Sequence, residues 1–372
     1  MLNVQLTEDH LAVRDMCRDI ATKVIAPNAR RAEDDGAIPS NVWNALAETG
    51  LTHAVAEELG GSGVPDTLTQ LIAAEQFAYG DPGIALGALW NGAVAFLLGR
   101  HGAETHGDDL TRLLNDNSVR AGLALYEGFG RGLDELATTV DVTGGEVHVR
   151  GRKVAVPFAQ TAAFHLVVGV DPATSTLRLV VVPADAAGVT VSAFDGALAL
   201  AAAGLGVVDL DVTLPRSALV GGPDADGASL GASLQRVRLL LAAFQLGTGQ
   251  RTVDYASKYA TERIAFGKPI ASFQGISFPL AESHMRLAEL RIELADVASR
   301  LDFDDFTDHS DAVTATLAYA AEIAPEAGRT GVQTLGGHGY IKDHPVEIWY
   351  RSTAALSTID FDPLATVFTA AL

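Results

Sequence analysis

The sequence predicts an α+β protein in which a β-rich middle segment separates two helical segments. Up to about residue 118, hydrophobic residues recur at steps of three and four, which is typical of helices. Short runs of alternating hydrophobic residues follow, and the helical period then returns. We therefore predict an N-terminal α-helical domain over 1–118, a middle β-barrel or sheet domain over 119–226, and a C-terminal helical bundle over 227–372.

The N-terminal segment contains a series of amphipathic helices separated by glycine and proline. Hydrophobic residues from Val13 to Val24 share one face of the first helix, which Pro27 is expected to end. Further helices are predicted around residues 42–46, 68–79 and 86–98. The glycine-rich run at 57–63 begins with two glutamates and lacks P-loop spacing, so we interpret it as a connector and not as a phosphate-binding loop.

The middle segment contains short strands, at residues 146–150, 177–182 and 208–214. Strands this short and this close in sequence predict a small antiparallel sheet or barrel. His148 and His165 have no partner at metal-ligand spacing, so we predict no metal site.

Helical periodicity is strong in the C-terminal segment. Leu280, Leu287, Leu294 and Leu301 repeat every seven residues, which is the spacing of a helix packed in a bundle. A last helix is predicted over 312–335, and it ends at a glycine-rich turn.

The composition is that of an acidic globular protein. The chain has 372 residues, 48% of them hydrophobic, and a formal net charge of -20. This charge repels phosphate backbones and anionic lipid, so we expect neither nucleic-acid nor membrane-surface binding. The single cysteine, Cys17, excludes an internal disulfide framework and fits a reducing compartment. The N-terminus does not resemble a signal peptide and we find no run of about 18 apolar residues in the sequence, so we predict a cytoplasmic protein.

The segment 255–274 carries the strongest functional signal. Its first half is predicted to be a helix that ends near Arg263 and Phe266, at a turn marked by Gly267. Gln274 lies at the start of the next predicted helix. A guanidinium, an aromatic ring and a carboxamide together suit a ligand that has phosphates and a flat ring. The alternative is that Arg263 pairs with a carboxylate and Phe266 belongs to the core.

Three motifs resemble the acyl-CoA dehydrogenase family and follow one another in the family's order: A-E-E-L-G-G-S-G at 56–63, R-I-A-F-G-K-P-I-A-S-F-Q at 263–274 and Q-T-L-G-G-H-G-Y at 333–340. The similarity covers nearly the whole chain. It implies a C-terminal four-helix bundle and FAD bound at a subunit interface. It also implies removal of an α-proton and a β-hydride from an acyl-CoA, with transfer of the electrons to an electron-transfer flavoprotein.

In that arrangement these motifs contact the FAD of a neighbouring subunit. The resemblance implies that Arg263 contacts the FAD pyrophosphate and Phe266 the adenosine part. It assigns the remaining cofactor contacts to Phe273, Gln274, Gln333, Gly336 and Gly337.

The family's catalytic glutamate has no clear counterpart. Counting from Arg351, its usual position falls on Asp360, a shorter carboxylate in S-T-I-D-F-D-P. In the isovaleryl-type branch, the glutamate precedes an arginine that matches Arg238, and here that position is Val237, which cannot accept a proton. We therefore assign no catalytic residue to this subunit, with Asp360 as the fallback.

The segments that contact flavin in the family are also altered. The family's T-E-P-x-A-G-S-D segment aligns with L-Y-E-G-F-G-R-G at 125–132. Its W-I-T or W-I-S segment aligns with residues in which Ala155 replaces the tryptophan and Pro157 the hydroxyl residue. The half of the site given to a neighbour's FAD is kept, whereas the half that binds this subunit's own flavin is lost.

Three interpretations follow. In the first, the chain resembles the non-base-bearing subunit of α2β2 bacterial acyl-CoA dehydrogenases that act on CoA thioesters of steroid side chains. The second is a self-sufficient homotetrameric acyl-CoA dehydrogenase or related flavoenzyme with Asp360 as its base. The third is a cofactor-free scaffold subunit. Retention of the motifs around Arg263 and Gln333 argues against the third.

Overall fold

The chain folds as helices, then a sheet, then helices, as the sequence predicts. The computed structural model describes residues 6–128, 133, 136–194, 197–222, 225–303 and 309–360. The helices of the N-terminal segment are α1 (Glu8–Ile20), α2 (Ala26–Asp35), α3 (Ser40–Ala47), α4 (Thr67–Gly80), α5 (Pro82–His101) and α6 (Gly107–Asn115). The predicted helices around 42–46, 68–79 and 86–98 lie within α3, α4 and α5.

Pro27 does not end the first helix, contrary to the sequence prediction. A π-helical turn, Ala21–Ile25, connects α1 directly to α2. Pro27 lies in the first turn of α2, immediately after this π-helical turn. The helix therefore continues to Asp35, and Gly36 ends it in a left-handed conformation.

Helix α5 contradicts the prediction that the sequence has no long apolar run. Its 20 residues are apolar enough to cross a membrane by length and composition, with a mean hydropathy of 1.5. Buried residues inside the protein make up 94% of that window. Trp90 and Leu97, for example, belong to the hydrophobic core. The apolar sequence is thus explained by burial on every side of the helix.

The middle segment forms one seven-stranded sheet. Its strands are β1 (Ala121–Ala124), β2 (Thr139–Thr143), β3 (Glu146–Val156), β4 (Phe164–Val170), β5 (Leu177–Pro183), β6 (Val189–Ala193) and β7 (Gly206–Pro215). Their order is β1-β4-β2-β3-β7-β6, with β5 paired to β4. The sheet is not purely antiparallel as predicted, because β1 runs parallel to β4 with Ala121 opposite Phe164. The long connection after β1 permits this pairing, since only short hairpin connections require antiparallel neighbours.

The C-terminal segment contains four helices, α7 (Gly227–Glu262), α8 (Gln274–Phe303), α9 (Ser310–Leu335) and α10 (Val346–Leu356), and a small hairpin of β8 (Ile264–Ala265) and β9 (Lys268–Pro269). The four leucines spaced by seven on α8 are all buried, as predicted. Helix α4 packs closely on α7, where a Cβ built on Gly247 would lie 2.0 Å from the Glu75 carbonyl oxygen. One hydrophobic core therefore joins the N-terminal helices, the C-terminal helices and one face of the sheet.

His165, in β4, is a buried histidine whose two ring nitrogens have no hydrogen-bond partner among the described residues. Burial lowers the pKa of its imidazole from 6.5 to about 4. Between these two pH values the unfolded chain binds a proton that the folded chain excludes, so acid favours unfolding. His101 behaves in the same way, because burial lowers its pKa to about 4 as well.

We expect the free energy of unfolding to fall as the pH decreases from 6.5 towards 4. His165 contributes about 3 kcal/mol to this loss, as an upper figure. In His165→Val the part of the acid-induced loss that comes from His165 disappears and stability near neutral pH does not fall, since no unpaired polar group stays buried. Urea unfolding across this pH range measures the effect, with the half-buried His148→Gln as the matched control. Equal pH dependence in His165→Val and the unmodified chain would contradict the prediction.

Candidate functional site

The hairpin between α7 and α8 displays the predicted aromatic residue to solvent. Phe266 and Gly267 are its two central residues, and both have positive φ, 53° and 81°. This is the backbone of a primed turn, which a residue with a bulky side chain rarely adopts. Phe266 is nevertheless there, with 96% of its surface exposed. The alternative in which Phe266 belongs to the core is wrong, and a strained, exposed aromatic residue is a candidate for ligand contact.

Arg263 immediately follows the last residue of α7. It is exposed and extended, and its backbone N–H donates to the Tyr259 carbonyl. Its guanidinium forms no ion pair with the residues that the structure describes. The alternative in which Arg263 pairs with a nearby carboxylate is therefore also wrong within that part of the chain. The guanidinium remains available for an anion from outside the chain.

Phe273 packs against the aromatic residue of the hairpin. Its ring lies edge-on to Phe266, with centroids 6.2 Å apart at 83°. The Lys268 ammonium lies 4.4 Å from the centroid of the Phe273 ring. These contacts hold the two aromatic rings and a cation in one cluster beside Arg263.

The remaining predicted cofactor residues lie at the start of α8 and the end of α9. Gln274 and Gln333 are both exposed. A groove of about 460 Å³ brings the start of α8 beside Gln333, with Gly275, Ile276, Thr334 and Tyr340 among its other lining residues. A Cβ built on Gly336 or Gly337 would meet no atom within 4 Å. The backbone of this glycine turn is thus open to close approach by a ligand.

These residues fit the phosphate and adenosine parts of FAD. The cluster offers an available guanidinium for a pyrophosphate, an exposed ring for stacking and two carboxamides for hydrogen bonds. The four side chains are exposed on the surface of this chain.

Helix α8 carries an exposed apolar stripe on the side opposite its buried leucines. Phe278, Met285 and Ile292 repeat every seven residues and are 62%, 67% and 64% exposed. Exposed apolar residues in a row indicate a surface that contacts another protein. Ile264 and Tyr340, next to the cofactor cluster, are exposed as well.

Asp360 is buried and engaged. Only 4% of its surface is exposed, and its carboxylate accepts hydrogen bonds from the Arg238 guanidinium, with Nη2 to Oδ2 at 2.8 Å and Nε to Oδ2 at 3.1 Å. Arg238 also donates to the side chain of Gln235, at 2.8 Å. A carboxylate whose oxygens already accept a fork of two N–H groups is poorly placed to take a proton from a substrate.

The space next to Asp360 is filled by side chains. Tyr126, two residues after β1, is buried, and burial followed by the charge of Asp360 raises the pKa of its hydroxyl well above the usual value. The ring of Tyr126 lies 6.2 Å from that of Trp90. Val237, at the second possible base position, lines a cavity of only about 20 Å³. That cavity has no room for an acyl chain.

The two altered flavin segments meet at a buried ion pair that sequence reasoning missed. Lys153 Nζ lies 2.8 Å from Glu127 Oε1 and both side chains are buried. Glu127 also accepts backbone N–H groups of Ala137 and Thr138, at 2.6 and 2.8 Å. Burial lowers the pKa of Lys153 to about 8. Residues 129–132 of the first segment lie outside the described residues.

The platform expected for a flavin ring is absent from the second segment. Ala155 has a positive φ of 51° and Pro157, which brings no N–H, is buried. Phe158 turns inward and lies edge-on to Trp43, with centroids 5.9 Å apart.

Across the described ranges, no group of three or more His, Cys, Asp or Glu side chains is arranged to hold a metal ion.

Comparison with known proteins identifies the family. Residues 7–110 match the model of the acyl-CoA dehydrogenase N-terminal domain, and residues 228–360 match that of the C-terminal domain. The chain is 28% identical to the probable acyl-CoA dehydrogenase YngJ of Bacillus subtilis, over 94% of this chain and 93% of the relative. It is 27% identical to the rat mitochondrial short-chain specific acyl-CoA dehydrogenase, over 94% and 86%.

Solved structures agree at the level of the fold. The glutaryl-coenzyme A dehydrogenase complex with glutaryl-CoA superimposes with a TM-score of 0.86 at 23% identity, over 98% of this chain and 94% of that one. Butyryl-CoA dehydrogenase of Megasphaera elsdenii gives a TM-score of 0.83 at 21% identity, over 98% and 97%. The N-terminal helices, the curled middle sheet and the C-terminal helices are shared, and FAD is the cofactor of the family to which these structures belong. This chain therefore belongs to the acyl-CoA dehydrogenase family.

Proposed function

We propose that this chain is one subunit of a heteromeric FAD-dependent acyl-CoA dehydrogenase, in which it completes the FAD site of a homologous catalytic subunit. One observation carries the proposal: the cofactor residues around Arg263 are exposed and available, whereas the position of the base is occupied by the buried Arg238–Asp360 pair. Half of a family site is thus open to a partner, and the other half is closed.

The exposed half supports assembly with another subunit. Arg263, Phe266 and the Gly336–Gly337 turn face away from the core, and the apolar stripe of α8 begins beside them. An apolar stripe of this kind is a liability on a lone chain and becomes favourable when a partner covers it. Its position next to the cofactor residues supports a cofactor held between two subunits.

In this proposal the residues of the chain bind and orient FAD, and they do not exchange protons with the substrate. Arg263 pairs with the pyrophosphate, Phe266 packs on the adenosine part, and Gln274 and Gln333 donate or accept hydrogen bonds. FAD, when bound, supplies the acceptor for the hydride that leaves the substrate. The base that removes the α-proton belongs to the partner subunit, because Val237 cannot act as one and Asp360 is held by Arg238.

For the substrate we propose a bulky acyl-CoA, a CoA thioester of a steroid side chain. The support is the resemblance to the α2β2 enzymes of that class, together with the small size of the cavity beside Val237. Because the acyl site of this chain is closed, each pair of subunits keeps one acyl site, and that site can be larger. We propose an electron-transfer flavoprotein as electron acceptor, in line with one relative, the Acetobacterium woodii caffeyl-CoA reductase-Etf complex subunit CarC. The single cysteine and the acidic composition support a cytoplasmic location.

The competing function is a self-sufficient homotetramer with Asp360 as the base. The side chains of Arg238 and Tyr126 now fill the space beside the Asp360 carboxylate. This function therefore requires Asp360 to leave the Arg238 guanidinium and requires the Tyr126 side chain to move. A scaffold without cofactor is the third possibility, and it gives no reason for a strained and exposed Phe266.

The flavin content of the purified protein separates these functions. We expect the chain produced alone to retain little or no FAD, and the complex with its homologous partner to hold about one FAD per heterodimer. The absorbance spectrum gives flavin per chain, and the mass of the assembly gives its composition. Stoichiometric flavin on the lone chain would rule out the heteromer, and a colourless complex would favour the scaffold.

A further inference from the structure

A groove bounded by α1, α4, α7 and α8 lies outside the cofactor cluster. Its volume is about 410 Å³, within the range of about 300 to 1,000 Å³ that is typical of ligand pockets. None of its lining residues belongs to the cofactor cluster around Arg263 or to the Arg238–Asp360 pair. The proposed function therefore gives this groove no role.

The floor of the groove is apolar and well buried. It is lined by Leu71 and Ile72 on α4, Leu246 on α7, and Leu294 and Ala295 on α8. Each of these residues is at most 7% exposed. Such a floor makes few hydrogen bonds to water and favours contact with an aliphatic chain.

Three arginines line the same groove, Arg14 and Arg18 on α1 and Arg291 on α8. Two of them are neutralised, because Arg14 pairs with Asp15 at 2.8 Å and Arg291 pairs with Glu75 at 2.8 Å. Arg18 forms no ion pair with any residue that the structure describes. One positive charge is thus left over beside an apolar floor, in a chain whose formal net charge is -20.

The Arg18 guanidinium is held in place without the use of its terminal amino groups. Its central carbon lies 3.4 Å from the centroid of the Tyr79 ring, and its Nε donates to Gln76 Oε1 at 2.5 Å. Tyr79 is held in turn, because its hydroxyl donates to Asp254 Oδ2 at 2.9 Å. Within the described ranges, neither Nη1 nor Nη2 of Arg18 has a hydrogen-bond partner. A fork of two N–H groups fixed in this way is preorganised to bind a carboxylate.

We propose that this groove binds an aliphatic carboxylate, such as a free fatty acid of medium length. The chain of the ligand packs on the apolar floor, and its carboxylate accepts hydrogen bonds from the Arg18 fork. The groove shares no residue with the cofactor cluster, so this site is independent of the proposed function.

Isothermal titration calorimetry of the purified full chain with octanoate tests the proposal. We expect saturable binding of one octanoate per chain. Octanol has the same chain without the charge, and its Kd should be about 10 to 150 times higher, which is the factor that a charge-assisted hydrogen bond contributes. Octylamine carries the opposite charge and should not bind.

The length of the aliphatic chain tests the apolar floor separately. From hexanoate to octanoate, each added methylene should lower the Kd by about fourfold, as expected for burial of one methylene group. A Kd that does not depend on chain length would show that the floor is not used, and it would overturn the proposed binding mode.

Substitutions of Arg18 test the head-group contact. Arg18→Gln removes the charge and the fork, so the Kd for octanoate should rise by about 10 to 150 times. Arg18→Lys keeps the charge but loses the planar fork, so an intermediate Kd is expected. Arg150→Gln, on the exposed side of β3, is the matched control and should bind octanoate as the unmodified chain does. Thermal unfolding without ligand shows whether each variant is folded.

Leu68→Glu is a second variant that leaves the arginines in place. Leu68 lines the groove, is half-buried and is the second residue of α4. A carboxylate in the first turn of a helix is favourable, so this variant is expected to fold. The new carboxylate competes with octanoate for Arg18, so octanoate binding should be lost.

The outcomes are distinct. Octanoate binding that weakens in Arg18→Gln and Leu68→Glu and is retained in Arg150→Gln supports the inference. The absence of saturable octanoate binding, equal binding of octanol, or unchanged binding in folded Arg18→Gln or Leu68→Glu overturns it. The flavin content of the same samples decides the proposed function separately, so failure of either proposal leaves the other intact.

Discussion

Replacing Arg263 with alanine is expected to remove most of the FAD from the heteromeric complex. The guanidinium is exposed and has no ion-pair partner among the described residues, so the fold of the chain does not depend on it. A charge-assisted hydrogen bond to a phosphate contributes about 1.5 to 3 kcal/mol, which corresponds to a Kd for FAD that is about 10 to 150 times higher. Flavin per heterodimer after gel filtration is the measurement.

Two further variants sharpen this prediction. Arg263→Lys keeps the charge but loses the planar fork, so an intermediate flavin content is expected. Arg150→Ala, an exposed arginine on β3, should leave the flavin content unchanged. Full retention of FAD in Arg263→Ala would contradict the proposed role of this residue and would favour the scaffold.

Asp360→Ala should destabilise the chain and should not act as the loss of a catalytic base. The substitution leaves the Arg238 guanidinium buried without its carboxylate, and a buried charge without its partner costs about 3 to 5 kcal/mol. Chemical denaturation of the purified protein measures this loss directly. We expect it in the lone chain and in the complex.

A double substitution distinguishes the two roles. Arg238→Met combined with Asp360→Leu removes both charges, so it should be less destabilising than Asp360→Ala alone. If Asp360 were the base, Asp360→Asn would abolish turnover of a complex that is as stable as the unmodified one. Stability retained and activity lost would therefore rule out the structural role proposed here.

The sequence determined much of the fold because its signals are local. Hydrophobic periodicity depends on neighbours a few residues apart, and it predicted most helices, including the buried leucine repeat of α8. The turn at Phe266 and Gly267 was also predictable, since the glycine and the following proline mark it within a few residues. The assignment to the acyl-CoA dehydrogenase family came from three short motifs in order.

Some features required information that no local pattern contains. The π-helical turn before Pro27 depends on the path of the chain on both sides of it, and a proline by itself indicated only a helix end. The parallel pairing of β1 with β4 joins strands that are separated by β2 and β3 along the chain. The residues of neither strand indicate whether its neighbour runs parallel or antiparallel.

The sequence by itself determined the order of the elements and the residues that a cofactor would contact. Only the tertiary structure decided which of those residues are available and which are engaged. Arg238 and Asp360 are 122 residues apart in the chain, and their pairing decides that the fallback base is held in a buried ion pair. Arg18 and Arg291 line one groove only because α1 and α8 both pack on α4. Charges and rings act on one another through space, so their roles depend on distances that folding alone sets.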